Sequence, residues 1–544
     1  MIIRKIYAFC ALLSAILIAG CTEPSGWHAE QAQAPTLSPA QMQTNFHYPE
    51  YEIYGNEETS YEQIPGQKNV SVLLPSSGPD GAIGLGIRTA VEMAFLQNPN
   101  KNISVSFFDL SGNKLQKQNI IMNALLAQPD IVIGPIFAED VRLVRDMKPE
   151  SLPVLSFSSD ISALSDGVMT MALIPAQSIE EILKETMRDH ARGIVIMAPK
   201  TASGEKMAGA AVLGGNTYDI PISGVFYYSE GNSESIKQAA HKASMFAARS
   251  AANTKAREIL SDILVKEKLR PAQKSNISAQ LNKLSKSDTL GKVPYDAVLF
   301  LGNANDSKTI ASFLRYFDVG SRDVGFYGTA LWDTNEMLGD LTMAGAKFAA
   351  LPPGSPDFEK LYEQVSGKIP SKLDSFGFDA ANLSIGMFKS GKDYAAYLLD
   401  PSGYNGLNGL FRLRPDGTSE RALQIMELTG GGVARIVRNS ASNFITPIYN
   451  LQPGQISGAL EISLVSEGIN PSDYIKIPEE LRGKYRSKTF GANMPDDSGA
   501  QPGDNNETVI LPEDDSEVIN SEEFQPVALE QVDRKLIDNV EVSE

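Results

Sequence analysis

The chain is poor in the residues that most often carry chemistry. Its 544 residues include only two cysteines, four histidines and two tryptophans. Cys10 falls in an N-terminal apolar run and Cys21 directly after it, so a chain processed at Cys21 retains no thiol for a disulfide, a thiolate metal site or a nucleophile. His28 and His47 lie in a polar stretch near the N-terminus. His190 and His241 fall on predicted helices among polar neighbours, where an exposed imidazole is expected rather than a general base. There is no G-x-S-x-G elbow, Walker A loop or H-E-x-x-H pattern. These absences remove the commonest hydrolase, nucleotidase and zinc-peptidase signatures. No catalytic residue, metal ligand or cofactor is assigned, and a non-enzymatic role is expected. A paired-carboxylate hydrolase stays open, because two distant Asp or Glu could meet in a cleft.

Long apolar runs are equally scarce, and the one present is informative. Arg4 and Lys5 precede the apolar stretch Ile6 to Ile18, which ends in Ile18-Ala19-Gly20-Cys21. A run this short does not span a bilayer; it reads as a signal peptide, residues 1–20, closed by a lipobox. Cys21 is then the diacylglycerol acceptor and the first mature residue. Thr22 stands where an aspartate would favour inner-membrane retention, so the periplasmic face of the outer membrane is expected. Residues 21–67 are rich in Pro, Ser, Gln and Glu without sustained periodicity, and read as a flexible tether of roughly 35–40 Å root-mean-square reach.

From Lys68 the pattern changes to alternating strands and helices. "VSVLL", "ISVSFFD", "IVIGP", "VLSFS", "GIVIMAP", "PISGVFYY", "YDAVLFLG" and "GFYGTA" are strands, most of them followed by helical periodicity. Continuous apolar strands alternating with helices imply parallel sheets covered on both faces. The expected fold class is α/β, with two doubly wound lobes and a cleft between them. Lobe 1 is placed at about 68–174 and 346–400, and lobe 2 at about 175–345 and 401–451. Near the end, "GLFRLRPDGTSERALQIMELTGGGVARIV" reads as strands joined by turns at Pro415-Asp416-Gly417 and Gly430-Gly431-Gly432. Residues 452–494 form an extension that contains the basic "LRGKYRSK".

Charge is unevenly spread. The helical segment 233–292, an insertion in lobe 2, holds twelve Lys and Arg against five Asp and Glu, about +7 in a chain of net −18. It is either a solvated basic face or a docking surface for an acidic partner, in which case Lys266, Lys268 and Arg270 are its test residues. Residues 495–544 hold fifteen carboxylates against Arg534 and Lys535, and are expected to be disordered. No nucleic-acid partner is expected.

Two doubly wound lobes place ligands at the carboxyl ends of their strands. The loops expected there carry Ser76 and Ser77, Ser156 and Ser158, and Gly328 and Thr329, with Tyr227, Tyr228 and Glu230 closing from the second lobe. Hydroxyls beside helix amino ends suit a carboxylate ligand. Ser, Gly and Thr are equally the ordinary punctuation of strand-to-helix turns.

"VSVLLPSSGPDGAIGLGIRTAVEMAF", "DIVIGPIFAEDV", "LPVLSFSSD" and "YDAVLFLG", in that order, resemble the type I periplasmic binding proteins of the leucine-binding kind. "YGTALWD", "AGAKFAALPP", "FGFDAANL" and "NGLNGLFRLRPDGTSERALQIMEL" resemble the lipoproteins called penicillin-binding protein activators, the likeness running from Lys68 to Leu451. The resemblance implies a non-catalytic outer-membrane lipoprotein that binds and activates a bifunctional peptidoglycan synthase. The alternative is a lipid-anchored receptor delivering an amino-acid-like solute to an ABC transporter. Amino-acid-binding relatives place a serine just after the Gly-Pro of "IVIGP", where this chain has Ile136, Phe137 and Ala138. Losing one buried hydrogen bond to a charged ligand costs about 1.5–3 kcal/mol, roughly ten- to a hundredfold in affinity.

Overall fold

A computed structural model describes residues 66–445 except 99 and 101, residues 460, 462–464 and 466–491, and the two-residue strand β1 (Phe46–His47). Cys21, the signal segment and the acidic tail lie outside the described residues. β1 falls within the segment read as a tether, and pairs in parallel with the third strand of the first sheet.

Strands and helices alternate as the periodicity predicts. The first lobe runs β2 (Lys68–Leu74), α1 (Gly81–Gln97), β3 (Ile103–Asp109), α2 (Lys114–Leu126), β4 (Ile131–Ile133), α3 (Ala138–Met147), β5 (Val154–Ser156) and β6 (Val168–Thr170). α1 turns Ile87, Val91, Ala94 and Phe95 into the core. α2 is opened by a capping box in which the Asn113 side chain accepts from the Gln116 N–H and the Gln116 side chain accepts from the Asn113 N–H. All pairs are parallel, in the order β1-β3-β2-β4-β5-β6. β4 and β5 are buried at every residue, as strands covered on both faces must be.

The second lobe repeats the winding with α4 (Pro175–Arg188), β7 (Ile194–Pro199), α5 (Ala202–Thr217), β8 (Ile222–Tyr228) and α6 (Ser233–Ala243). It continues through α7 (Phe246–Lys266), α8 (Pro271–Leu284), β9 (Ala297–Phe300), α9 (Ala304–Tyr316), β10 (Gly325–Gly328) and β11 (Lys347–Ala350). The order β8-β7-β9-β10-β11 reproduces β3-β2-β4-β5-β6 of the first sheet.

The chain then runs through α10 (Pro356–Ser366), α11 (Lys372–Ser390), α12 (Tyr394–Leu398), β12 (Tyr404–Gly406), β13 (Gly409–Leu413), β14 (Ser419–Arg421), β15 (Gln424–Leu428) and β16 (Ala434–Arg438). α10 and α11 pack on α1, so this segment closes the first lobe. β15 pairs antiparallel with β11, and β16 with β15, so these two extend the second sheet.

Two boundaries differ from the sequence reading. The sequence pattern puts the return to the first lobe at about 346, but β11 pairs with β10 and β15 and so belongs to the second sheet. An apolar run such as Phe348-Ala349-Ala350 reads alike in either lobe; only its partners place it. β12, β13 and β14, read as part of lobe 2, form a separate three-stranded antiparallel sheet. Of the helical insertion, α6 packs on β8 and α9 as an ordinary crossover helix. The added element proper is the α7–α8 hairpin, whose Ala256, Ile259, Leu260 and Ile263 are buried. The extension returns onto that hairpin: Lys484 and Tyr485 both reach Glu267, at 2.6 and 2.8 Å. Ile469, Ile475 and Phe490 join its core.

One apolar cluster runs through both lobes, from Val70 and Ile87 of the first to Ile196 and Leu299 of the second. Among the described residues, no helix is long and apolar enough to cross a membrane.

Candidate functional site in the cleft between the lobes

A cavity of about 540 Å³ opens between the lobes at the carboxyl ends of the strands. Its first-lobe walls are the loops after β4 and β5, residues 136–138 and 157–160. Ala330 and Asp333 face them from the second lobe, and Phe376 of α11 closes one side. The lining is mainly apolar, with Ile136, Phe137 and Phe157 in place of hydrogen-bonding groups.

The amino end of α3 enters this cavity, yet is unsuited to an anion. Phe137 holds the N-cap position and supplies no side-chain acceptor or donor. Glu139 and Asp140 already occupy the first turn, where they complement the positive end of the helix dipole. Asp140 is buried, with both oxygens on Lys117 Nζ at 2.8 and 2.9 Å; burial raises its pKa against the opposing pull of that ammonium. A ligand carboxylate would meet a phenyl ring and two resident carboxylates.

Two ion pairs bridge the lobes beside the cavity. Lys206 of α5 reaches Asp160 at 3.4 Å, and Lys372 of α11 reaches Asp333 at 3.5 Å. Arg142 also holds Asp160, at 3.0 Å. Burial pushes the Asp160 carboxyl up, but the Ser162 hydroxyl and N–H and the Lys206 charge outweigh it and leave the pKa below the ordinary value.

Of the residues predicted for a ligand site, Ser158 alone lines the cavity, and its hydroxyl accepts from the Asp160 N–H at 3.2 Å. Ser156 is wholly buried behind it on β5, its hydroxyl without a hydrogen-bond partner among the described residues. Ser76 and Ser77 follow β2 outside the cavity; their N–H groups donate to Asp109 and to Ser111. Thr329 is buried and caps a short 3₁₀ turn through the Leu331 N–H. Tyr227 lies on the edge strand β8, and its hydroxyl accepts from the Leu460 N–H of the extension at 3.1 Å. Tyr228 is buried beneath Gly302, and Glu230 is exposed in the following turn. The cavity therefore sits toward β4 and β5, away from the ends of β2 and β8, and gathers few of these side chains. His190 lies just past α4 in a left-handed turn, and His241 packs edge-on against Phe317 at 5.0 Å, more enclosed than its polar sequence neighbours suggested.

Sequence reasoning missed the hinge. β13 and β14 carry "GLFRL" and "SER", and Arg412, Arg414 and Arg421 are all buried. Arg412 and Arg414 share Glu420 Oε2 at 2.7 and 2.9 Å. Arg421 donates to the Met171 carbonyl through Nε and Nη2, and its guanidinium lies 3.9 Å from the Phe376 ring centroid. The Ser419 hydroxyl donates to the Ala172 carbonyl at 2.6 Å, Gln177 accepts from the Arg421 N–H, and Thr170 donates to the Gly417 carbonyl. Met171 and Ala172 belong to the crossing between lobes and Gln177 to the first turn of α4, so this small sheet is stitched to both. Asp379, buried nearby, accepts from the Leu407 N–H at 2.9 Å; burial pushes its pKa up to about 6, against the pull of Arg421. Arg412 and Arg414, two residues apart at the end of an otherwise apolar strand, and Arg421 across the turn were the available signal.

Residues 59–213 match the family model described as "LppC putative lipoprotein". No curated protein matches the chain. Among solved structures, a "putative branched-chain amino acid ABC transporter" from Rhodospirillum rubrum is similar at 14% identity, over 68% of this chain and all of that one, with a TM-score of 0.52. The C-domain of LpoA from Haemophilus influenzae, described as a regulator of PBP1A, is 18% identical over 68% of this chain and all of that one, at a TM-score of 0.45. A leucine-binding protein from Thermotoga maritima is 13% identical over 68% of this chain and 97% of its own, at 0.43. Over residues 59–213 the chain is thus similar to the LppC lipoproteins, and its two lobes have the leucine-binding-like fold of the type I periplasmic binding proteins.

Proposed function

We propose that this chain is a lipid-anchored, non-catalytic envelope protein that binds a bifunctional peptidoglycan synthase and stimulates it by contact. The observation that carries the reading is the LppC lipoprotein match over residues 59–213. It agrees with the lipobox ending at Cys21 and the tether behind it, which would hold the body at the periplasmic face of the outer membrane. It agrees also with the cleft chemistry: Phe137, Glu139 and Asp140 at the amino end of α3 disfavour the carboxylate that a transport receptor of this fold would hold. The hinge stitching and the two inter-lobe ion pairs suit a body that presents a fixed surface. The test uses the purified mature chain with a bifunctional synthase of its own organism. Binding, with a rise in glycan polymerisation or crosslinking, is the expected outcome; absence of both overturns it.

The cavity of about 540 Å³ favours a second reading, a receptor for a small solute. Calorimetry against amino acids and short peptides separates the two: micromolar binding supports the receptor, and silence across the panel supports the contact protein. Native mass spectrometry showing an unmodified amino end would remove the anchor from both.

A further inference from the structure

A larger cavity lies elsewhere. It is a groove of about 1090 Å³ walled by α8, by the loop after α9, by the turn at 341–344 and by the extension at 474–476. It exists because of the α7–α8 hairpin and the extension, two parts that a plain two-lobed body does not require. Its floor is apolar, with Leu290 and Phe326 both buried.

Lys283, Arg315, Arg322 and Lys476 stand around it, all exposed, and among the described residues none of their side chains has an ion pair or hydrogen bond. Two carboxylates share the wall but are engaged: Asp318 accepts from the Thr289 hydroxyl at 2.9 Å, and Asp323 from the Gly320 N–H at 3.1 Å. Arg249 is buried and commits its guanidinium to the carbonyls of Ser244, Gly291, Phe317 and Asp318. The groove is therefore positive in a chain of net −18. Its rim also exposes two large side chains, Leu341 at 75% and Tyr474 at 50%. Arg and Tyr around an apolar floor are the residue types enriched where proteins meet.

We infer that this groove is the docking site for an acidic segment of a protein partner, one whose carboxylates meet Lys283, Arg315, Arg322 and Lys476 while its apolar side chains cover Leu341 and Tyr474. The inference rests on the proposed function for the partner's identity, not for the groove's chemistry. A lone phosphate or polyanion would use the cations and leave the apolar rim uncovered. An acidic peptide with interspersed leucines uses both. The positive field also speeds encounter and makes affinity fall with salt. Lys266, Lys268 and Arg270, the basic residues singled out in the sequence, lie outside this groove, and Lys266 is paired with Asp262 at 2.8 Å.

The test compares the full chain with the charge reversal Lys283→Glu, Arg315→Glu, Lys476→Glu, and with a control reversal, Lys360→Glu, Lys389→Glu, on exposed first-lobe cations. Two probes are used: the purified synthase, and a fluorescent peptide alternating Glu and Leu, with polyphosphate as competitor. Wild type is expected to bind both probes with affinity that falls as salt rises. The groove reversal should weaken each by about tenfold or more and flatten the salt dependence, while the control stays at wild-type affinity and all three share one thermal unfolding midpoint. A groove variant that binds as wild type does overturns the inference, as does a wild type that ignores the peptide or releases it fully to polyphosphate. If wild type binds the peptide at the groove but not the synthase, the groove stands and the synthase reading falls. If wild type binds the synthase and the reversal has no effect there, the synthase reading stands and the groove falls.

Discussion

Arg421 shows how one side chain can hold two lobes in register. Its guanidinium is buried between the Met171 carbonyl and the Phe376 ring, one on the hinge and the other on α11. Replacement by Met keeps much of the volume but leaves Asp379 buried without its compensating charge. Losing the charged hydrogen bond to the buried Met171 carbonyl adds a cost of about 1.5–3 kcal/mol. Arg421→Met is expected to lose that much in urea unfolding at neutral pH, and the double variant with Asp379→Asn to recover part of it. Asp379 also sets a pH dependence. Its folded pKa of about 6 lies above the ordinary aspartate value, so between about pH 4 and 6 the native state binds more protons than the unfolded one. Stability contributed by this group is therefore greatest in acid and declines as pH rises through that window. Asp379→Asn should flatten the decline; an unchanged profile would assign it to other groups. Gly134 is a further fixed point, because its φ of +98° is in the glycine region and a Cβ there would collide with the Leu73 carbonyl. Gly134→Ala is expected to cost about 1–3 kcal/mol from backbone strain alone, read as a lower urea midpoint.

At the scale of elements, the extension 466–491 and the α7–α8 hairpin hold one another. The polar contacts Lys484–Glu267 and Tyr485–Glu267 lie at the surface, where water and salt screen them, and contribute little. The apolar contacts of Ile469, Ile475 and Phe490 carry the attachment. Ile469→Ala should therefore detach the extension where Glu267→Ala does not, seen as faster hydrogen exchange across 466–491 with the sheet amides unchanged. Most elements were legible in the sequence because a strand such as "ISVSFFD" or a helix such as α1 declares itself by local periodicity. The hairpin β13–β14 was legible as strands but not as a sheet of its own, and the four-residue β11 was not legible as a strand at all. Strand type depends on neighbours in the chain, whereas sheet membership depends on partners elsewhere in the sequence.

For the whole molecule, the lobes share one continuous apolar cluster, a stitched hinge and two ion pairs across the cleft. The ion pairs are part-exposed and screened by salt. Lys206→Glu with Lys372→Glu should widen the cleft, raising the radius of gyration in small-angle scattering while changing stability by less than about 1 kcal/mol. An unchanged scattering profile would mean that the core and hinge alone set the lobe spacing.

The candidate site was only partly readable for the same physical reason. Ser76, Ser77, Thr329 and Tyr227 sit at strand ends or on strands of the expected kind, but the cavity opens beside β4 and β5, and those four spend their polar groups on local or extension contacts. By itself, the sequence determined what short-range chemistry can specify: an amino-terminal apolar run ending at a cysteine, alternating strands and helices, and a charge imbalance between segments. Which loops share a cavity, which arginines are buried at the hinge, and where exposed cations surround an apolar floor follow from the folded arrangement. Those properties depend on distances between residues such as Arg421 and Met171, or Lys283 and Lys476, that lie far apart along the chain and meet only once the core has closed.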